Sequence, residues 1–346
     1  MSNHPEGPPK SLADSFVAIF VNREKELRSG WRVLLFFLAF VMSLIFIRGV
    51  TDTLARLIPP LRWLVVDSPD DGPAADRLRL LATLIAALET LAAAFIASFV
   101  CARWLERRTL RSVGFKLHRG WAKDFLLGSL IGGAALALAV GLEAAAGAVH
   151  FAVQTAGKDL VIGFGYLLIF FVIAAAVEEW MFRGFAFQAL LHNLGAVPAL
   201  AITAVLFGLA HINNDNVSAF AVFNTILAGL WLGVAYLQTR SLWLPTALHY
   251  AWNFVMVFVF GLNVSGIPAF ERLAWLHGES KPPRWISGGD YGPEGGVAAT
   301  IALIVSTLLV WKSGWFRASA EMVAALAHGE RERPLSIIAD DQTPRA

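Results

Sequence analysis

Three residue pairs in apolar segments of this 346-residue chain contain groups that can activate water. They are Glu179 with Arg183, Phe207 with His211, and His249 with Asn253, and Glu178 directly precedes the first pair. Each pair has a spacing of four residues, which places both members on one face of a helix. Carboxylate and imidazole groups act as general acids and bases or as ligands of a divalent metal ion. The pattern indicates a hydrolytic site assembled from three helices inside a membrane.

The two adjacent glutamates are predicted to have different roles. Glu179 can form an ion pair with Arg183 one helical turn later. Glu178 lies about 100° around the same helix, so its carboxylate is the less neutralised of the two. We therefore predict that Glu178 is the general base of the reaction.

The composition shows which elements must position these residues. Hydrophobic residues make up 57% of the chain, charged residues only 16%, and the mean hydropathy is +0.60. These values are too apolar for a soluble protein of this length. The apolar runs are long and do not alternate, so they predict helices and not the strands of a membrane barrel. We predict an all-α, polytopic membrane helix bundle of about eight transmembrane helices, at 31–50, 80–102, 124–147, 160–190, 197–211, 218–238, 242–261 and 296–312.

Basic residues in short loops predict the orientation of this bundle. The loop after the second span is predicted to be cytoplasmic because it carries Arg103, Arg107, Arg108, Arg111, Lys116, Arg119 and Lys123. Basic residues also flank the first and last spans, so both termini are predicted to be cytoplasmic. In this topology the three motifs lie within the same half of the membrane. We expect a multi-pass protein of the cell (inner) membrane.

The chain divides into five predicted segments. These are a cytoplasmic N-terminal segment (1–30), two transmembrane helices with a basic loop (31–119), a catalytic core (120–262), an outer loop with the last transmembrane helix (263–312), and a cytoplasmic tail (313–346). Residues 13–28 could form an amphipathic helix on the inner membrane surface. The loop at 262–295 contains tryptophans typical of interfacial anchoring, although a loop over a cavity could also regulate access.

The order of the motifs resembles a known family. The chain contains EExxxR at 178–183, FxxxH at 207–211 and HxxxN at 249–253, in the fourth, fifth and seventh apolar segments. This pattern resembles the CPBP family of intramembrane metalloproteases, which comprises CAAX proteases and bacteriocin-processing (Abi-like) enzymes and is related to the Ras-converting endoprotease. The resemblance covers roughly residues 120–262. It implies an all-helical core that hydrolyses a peptide bond with an activated water.

The resemblance also implies roles for individual residues. It transfers catalytic roles to Glu178, His211, His249 and Asn253, and supporting roles to Glu179, Arg183 and Phe207. His211 would orient or activate the water, while His249 and Asn253 would donate hydrogen bonds to the oxyanion. If zinc is present, three of the carboxylate and imidazole groups would be its ligands, with Glu178, His211 and His249 as the candidate set. The chain lacks HExxH, so the sequence leaves the need for zinc open.

The expected partners are a hydrophobic or lipidated peptide or protein, including a prenylated CAAX-type substrate, and membrane lipids, but no nucleic acid. Two alternatives from other classes stay open at this point. Buried Glu, Arg and His also form polar pathways in transporters, although the chain shows no internal repeat of the kind typical of transporters. A non-catalytic immunity or scaffold protein could use the same fold to bind a partner.

Overall fold

The apolar segments of the sequence form helices, which satisfy the backbone hydrogen-bonding groups internally where water is scarce. A computed structural model describes residues 19–22, 26–64, 73–106, 113–154, 156–268 and 270–331. Within these residues the α-helices are α1 (Ser29–Leu57), α2 (Pro73–Val100), α3 (Trp121–Ala145), α4 (Lys158–Arg183), α5 (Phe185–Leu194), α6 (Ala196–Ala210), α7 (Ala219–Thr239), α8 (Trp243–Phe254), α9 (Arg284–Ser287), α10 (Val297–Lys312) and α11 (Ala320–Arg331). The all-α bundle predicted from composition is confirmed.

Five of these helical stretches are long and apolar enough to cross a membrane. They are Ser29–Leu57, Ala75–Leu105, Trp121–Ala145, Lys158–Leu194 and Ala219–Thr239. Helices α6 and α10 have 15 and 16 residues, fewer than the roughly 20 that span a bilayer. Helix α8 has 12 residues and is prolonged by a π-helical turn, Val255–Val259. Helices occupy all eight predicted positions, but the number of crossings stays a prediction.

The N-terminal flank, the basic loop and the C-terminal segment lie at one end of the bundle. Arg32, near the start of α1, donates a hydrogen bond to Glu106 at 3.2 Å, just after the end of α2. Lys123, at the start of α3, donates to the backbone carbonyl of Trp315 at 2.8 Å, just after the end of α10. These contacts agree with two chain ends on one side of the bundle. The side of the membrane that this end faces stays a prediction.

The opposite end is covered by an ordered segment, residues 262–268 and 270–296, which we call the cap. Helix α3 rises about 37 Å from the basic end to Ala145, and strand β1 (Val149–Val153) follows it. Strand β2 (Leu276–Ser280) of the cap pairs antiparallel with β1, with Val149 opposite Ser280. The predicted loop at 262–295 therefore contains a strand, the short helix α9 and three turns of 3₁₀-helix.

The predicted interfacial helix at 13–28 lies partly outside the described residues, since 1–18 and 23–25 are not included. Residues 19 and 20 are helical, but Val21 and Leu27 form an antiparallel bridge, so the predicted helix is absent at the described residues 21, 22 and 26–28. Asn22 accepts a hydrogen bond from the Glu26 N–H at 2.9 Å through its side-chain oxygen. An asparagine side chain that bonds nearby backbone groups offers the chain an alternative to helix.

Glycines on α3 allow α8 to approach closely. A Cβ atom at Gly132 would lie 2.3 Å from the backbone oxygen of Leu248, and one at Gly128 would lie 2.8 Å from the Ala247 Cβ. Small residues four apart are typical of closely packed membrane helices. This contact sets the position of α8 one residue before His249, so it helps to determine where that imidazole lies.

We expect Gly132→Ala to destabilise the protein by about 1–3 kcal/mol. The added methyl group would overlap the backbone of Leu248, which cannot move aside by a change of rotamer. The matched control is Gly141→Ala on the same helix, where a Cβ atom has no neighbour within 4 Å. There the gain in helix propensity should leave stability unchanged or raised by up to about 1 kcal/mol. Thermal unfolding of the two variants in detergent checks the difference. Equal midpoints would contradict the close approach.

Candidate active site

The three sequence motifs meet in the interior of the bundle. Glu178 lies on α4, His211 follows the last residue of α6, and His249 lies in the middle of α8. The Nε2 atoms of His211 and His249 each lie 3.9 Å from the same oxygen, Oε2 of Glu178. Residues that are 33 and 71 positions from Glu178 along the chain therefore surround one carboxylate oxygen.

Next to this carboxylate lies a fully buried ion pair. Glu179 and Arg183 each have a side-chain exposure of 0%, and Nη1 of Arg183 donates to Oε1 of Glu179 at 2.9 Å. Nη2 of Arg183 donates to the backbone oxygen of Gly229 at 3.1 Å, and the guanidinium carbon lies 4.5 Å from the centre of the Phe207 ring. The predicted pairing of these two residues is confirmed. It explains how an arginine is tolerated in the core of the bundle.

Glu179 also contacts His249, which sequence reasoning missed. Oε1 of Glu179 lies 2.9 Å from Nδ1 of His249, so the same oxygen accepts hydrogen bonds from both His249 and Arg183. A carboxylate can only accept when ionised, so Nδ1 of His249 carries the proton. The contact orients the ring so that Nε2 faces Glu178. The sequence held no signal for this contact beyond the presence of a second glutamate, since 70 residues separate the partners.

His211 is oriented by the backbone of its own helix. Nδ1 of His211 lies 2.8 Å from the carbonyl oxygen of Phe207, one turn earlier. Because a carbonyl oxygen only accepts, Nδ1 carries the proton, and in the neutral ring Nε2 has a free lone pair directed at Glu178. The Phe207 ring packs 4.8 Å from the His211 ring and 6.0 Å from the His249 ring. The FxxxH spacing therefore supplies both the hydrogen-bond acceptor and the packing surface.

The position of His211 also depends on close packing between α6 and α7. A Cβ atom at Gly229 of α7 would lie 2.8 Å from the Cα atom of Ala204, and one at Gly208 of α6 would lie 2.4 Å from the Ile226 side chain. The two helices can approach this closely only with glycine at these positions. Gly229 therefore serves twice, since its carbonyl also accepts the hydrogen bond from Arg183.

The carboxylate of Glu178 is partly exposed and lies beside the two imidazoles. Its side chain is 34% exposed, and within the described part of the chain its Oε2 atom is buried without a hydrogen-bond partner. The 3.9 Å separations are too long for direct hydrogen bonds. A water molecule between Oε2 and one imidazole Nε2 would have room for two bonds of about 2.8 Å at an angle near 90°. The carboxylate can therefore share a water with either histidine.

Asn253 is the one predicted catalytic residue that the structure does not bring into direct contact with the others. It lies one turn after His249 on α8 and is partly buried. Its side chain makes no hydrogen bond with any residue that the structure describes. The amide is therefore free to bond a bound substrate.

The three converging atoms do not fit a zinc site as they stand. Two imidazole nitrogens and a carboxylate oxygen are suitable zinc ligands, but bonds of 2.0–2.1 Å in a tetrahedron place ligand atoms only about 3.4 Å apart. The observed separations are 3.9 Å, and among the described residues no group of three His, Cys, Asp or Glu side chains has the arrangement of a metal site. Zinc stays a prediction from the resemblance, and no step below depends on it.

Comparison with known proteins finds a match in the segment that contains the motifs. Residues 160–255, a little over a quarter of the chain, match the family model Rce1-like, described as type II CAAX prenyl endopeptidase Rce1-like. No curated protein and no solved structure matches the chain. The matched segment runs from α4 to the end of α8 and contains all three motifs. Together with the long apolar helices, this match identifies an integral membrane protein whose motif-bearing segment is similar to the Rce1-like family of type II CAAX prenyl endopeptidases.

Proposed function

We propose that this protein is an intramembrane endopeptidase that hydrolyses a peptide bond in a prenylated or otherwise membrane-associated substrate. The observation that supports this most directly is the placement of both imidazole Nε2 atoms 3.9 Å from Oε2 of Glu178. The match of this segment to a CAAX prenyl endopeptidase family supports peptide hydrolysis as the reaction class. Burial of the Glu179–Arg183 ion pair also costs desolvation free energy although the pair is hydrogen-bonded, which argues against a purely structural role.

In the proposed reaction, Glu178 is the general base. A water held between Glu178 and His211 gives a proton to the Glu178 carboxylate as its oxygen attacks the substrate carbonyl carbon. The neutral His211 ring accepts a hydrogen bond from the same water through Nε2, which orients the attacking lone pair. When the C–N bond breaks, protonated Glu178 returns the proton to the leaving amine.

His249 and Asn253 would stabilise the oxyanion of the tetrahedral intermediate. His249 can donate from Nε2 only when the ring is protonated at both nitrogens, and the Glu179 carboxylate at 2.9 Å favours that positive charge. Asn253 can donate from its side-chain amide. Both groups lie on α8, so a single helix would carry the oxyanion donors, while α4 and the end of α6 would carry the base and its partner.

The location of the site supports the proposed substrate class. A hydrophobic anchor would hold a peptide close to a carboxylate inside a helix bundle, and a lipidated C-terminal peptide has one. The lipid-facing surface of α1 exposes Met42, Ile45 and Phe46 by 61–71%, as expected for contact with acyl chains. We propose that the basic end of the bundle faces the cytoplasm, with both termini on that side, in accord with the positive-inside rule.

The test is cleavage of quenched peptides by the purified protein in detergent. The peptide set includes isoprenylated C-terminal peptides and their unmodified counterparts. We expect cleavage of the lipidated peptides and weaker cleavage of the others, because the anchor raises the local concentration of the scissile bond. A chelator arm tests the zinc prediction: inhibition reversed by added zinc would support it, and full activity in chelator would contradict it. Failure to cleave any peptide would favour a binding role.

A further inference from the structure

The cap contains a carboxylate whose three hydrogen bonds reach both histidine-bearing parts of the bundle. Glu294 lies in a 3₁₀ turn, Pro293–Gly295, between α9 and α10. Its Oε1 atom accepts from Nε1 of Trp252 at 3.1 Å, and its Oε2 atom accepts from the N–H and the hydroxyl of Ser265, each at 2.7 Å. Ionised acceptors make the stronger class of hydrogen bond.

One arm of this network leads to His211. Asn214 lies in the 211–218 loop, and its N–H bonds the carbonyl of His211 at 3.1 Å. The Asn214 side chain donates to the carbonyl of Ser265 at 2.9 Å. The backbones touch as well, since a Cβ atom at Gly266 would lie 1.9 Å from the carbonyl oxygen of Asp215. The 211–218 loop, which includes His211, therefore packs against the part of the cap around Ser265, and Ser265 is hydrogen-bonded to Glu294.

The other arm leads to His249. Trp252 lies three residues after His249 on α8, so the two side chains occupy neighbouring positions on one helix surface. The Trp252 ring also packs edge-on against Trp231 of α7 at 5.8 Å. The hydrogen bond from the Trp252 ring N–H to Glu294 joins the turn of α8 that carries His249 to the cap.

The turn that carries Glu294 is itself attached to the bundle. Asn224 of α7 donates to the carbonyl oxygens of Glu294 and Gly296 at 2.8 and 2.9 Å. The hydroxyl of Thr300 on α10 donates to Asn224 at 2.7 Å. The backbone at 294 is therefore held between α7 and α10, so the position of the Glu294 side chain is well defined.

We propose that Glu294 is a positioning residue that sets the separation of His211 and His249 around Glu178. The direct path runs from the carbonyl of His211 through Asn214, Ser265 and Glu294 to Trp252 and α8. The effect on catalysis rests on the proposed function, whereas the hydrogen-bonded connection between the 211–218 loop and α8 does not. The cap is thus part of the active-site scaffold, in addition to covering one end of the bundle.

The charge on Glu294 is needed because all three of its partners are donors. In the part of the chain that the structure describes, no Lys, Arg or His forms an ion pair with Glu294, so these three bonds stabilise the carboxylate. A glutamine has one accepting oxygen and one donating NH₂ group. In Glu294→Gln, the NH₂ group must face a donor on one arm, so that arm loses its bond while size and shape are kept.

Hydrogen–deuterium exchange in detergent tests the coupling without reference to activity. In Glu294→Gln, we expect the peptides on the arm that loses its bond, 211–218 and 262–268 on one side or the end of α8 on the other, to exchange about tenfold faster than in the wild type. The matched control is Asp290→Asn, which removes a cap carboxylate that is 64% exposed and pairs only with Arg284 among the described residues. Unchanged exchange in Glu294→Gln, or equal acceleration in both variants, would overturn the proposal.

Peptide cleavage then tests the effect on the site. We expect kcat of Glu294→Gln to fall by about tenfold or more, since small displacements of catalytic groups have effects of this size, with KM and the unfolding midpoint little changed. Trp252→Phe keeps the aromatic packing and removes only the α8 arm. It should lower kcat by several-fold without faster exchange in 211–218. Faster exchange with an unaltered kcat would overturn the positioning role of Glu294. A wild type without peptidase activity would refute the proposed function, whereas the exchange result would still decide whether Glu294 connects the 211–218 loop to α8.

Discussion

Glu178→Gln is expected to lower the rate of peptide cleavage by about 10²- to 10⁴-fold, the range typical for loss of a general base. Glutamine keeps the size of the side chain but cannot accept the proton of the attacking water. The fold should be retained, because in the described structure Oε2 of Glu178 has no hydrogen-bond partner to lose. The measurement is kcat for a peptide that the wild type cleaves, together with the unfolding midpoint of each protein.

The matched control for this variant is Glu89→Gln. Glu89 is another acidic residue in an apolar helix, with a side-chain exposure of 12% and a carboxylate oxygen 3.9 Å from Arg48. It lies on α2, outside the three motifs, so its loss should leave kcat within about twofold of the wild type. Retained cleavage by Glu178→Gln would refute the base assignment. Equal loss in both variants would point to a general effect of removing acidic groups from the bundle.

Arg183→Leu is expected to have the largest effect on stability, a loss of about 3–5 kcal/mol. The change removes the arginine partner of the Glu179 carboxylate, which is 0% exposed, and leaves that buried charge with only its hydrogen bond to His249. A loss of this size is a large share of the total stability of a protein. Thermal unfolding in detergent should show a much lower midpoint, and cleavage should fall as well, because Glu179 also orients His249.

A double variant separates the buried charge from the lost packing. In Arg183→Leu combined with Glu179→Gln, no unpaired charge remains, so we expect the double variant to be more stable than Arg183→Leu alone. Cleavage should stay low in the double variant, because glutamine holds the His249 ring less firmly than a carboxylate does. A double variant that is less stable than Arg183→Leu would contradict the description of this pair as a charge that needs its partner.

The sequence alone determined the elements and their local contacts. Long apolar runs leave the backbone no partner but its own helix, so the places of these runs in the sequence predicted the long helices. Residues four apart share a helix face, so the Glu179–Arg183 pair and the place of Phe207 beside His211 followed from spacing. The same local reasoning failed at Val21 and Leu27, which form a bridge instead of the predicted helix, and beside them the Asn22 side chain bonds the backbone of Glu26.

Only the tertiary structure decided the contacts between distant segments. The bond from His249 to Glu179 and the 3.9 Å separations around Glu178 depend on how closely three helices approach, which glycines such as Gly132 permit. The cap was a loop of unassigned role in the sequence, because its turns and its strand pairing have no periodic signal. Hydrogen bonds between residues far apart in the chain arise only once the chain has folded, so the bridge made by Glu294 could be recognised only in three dimensions.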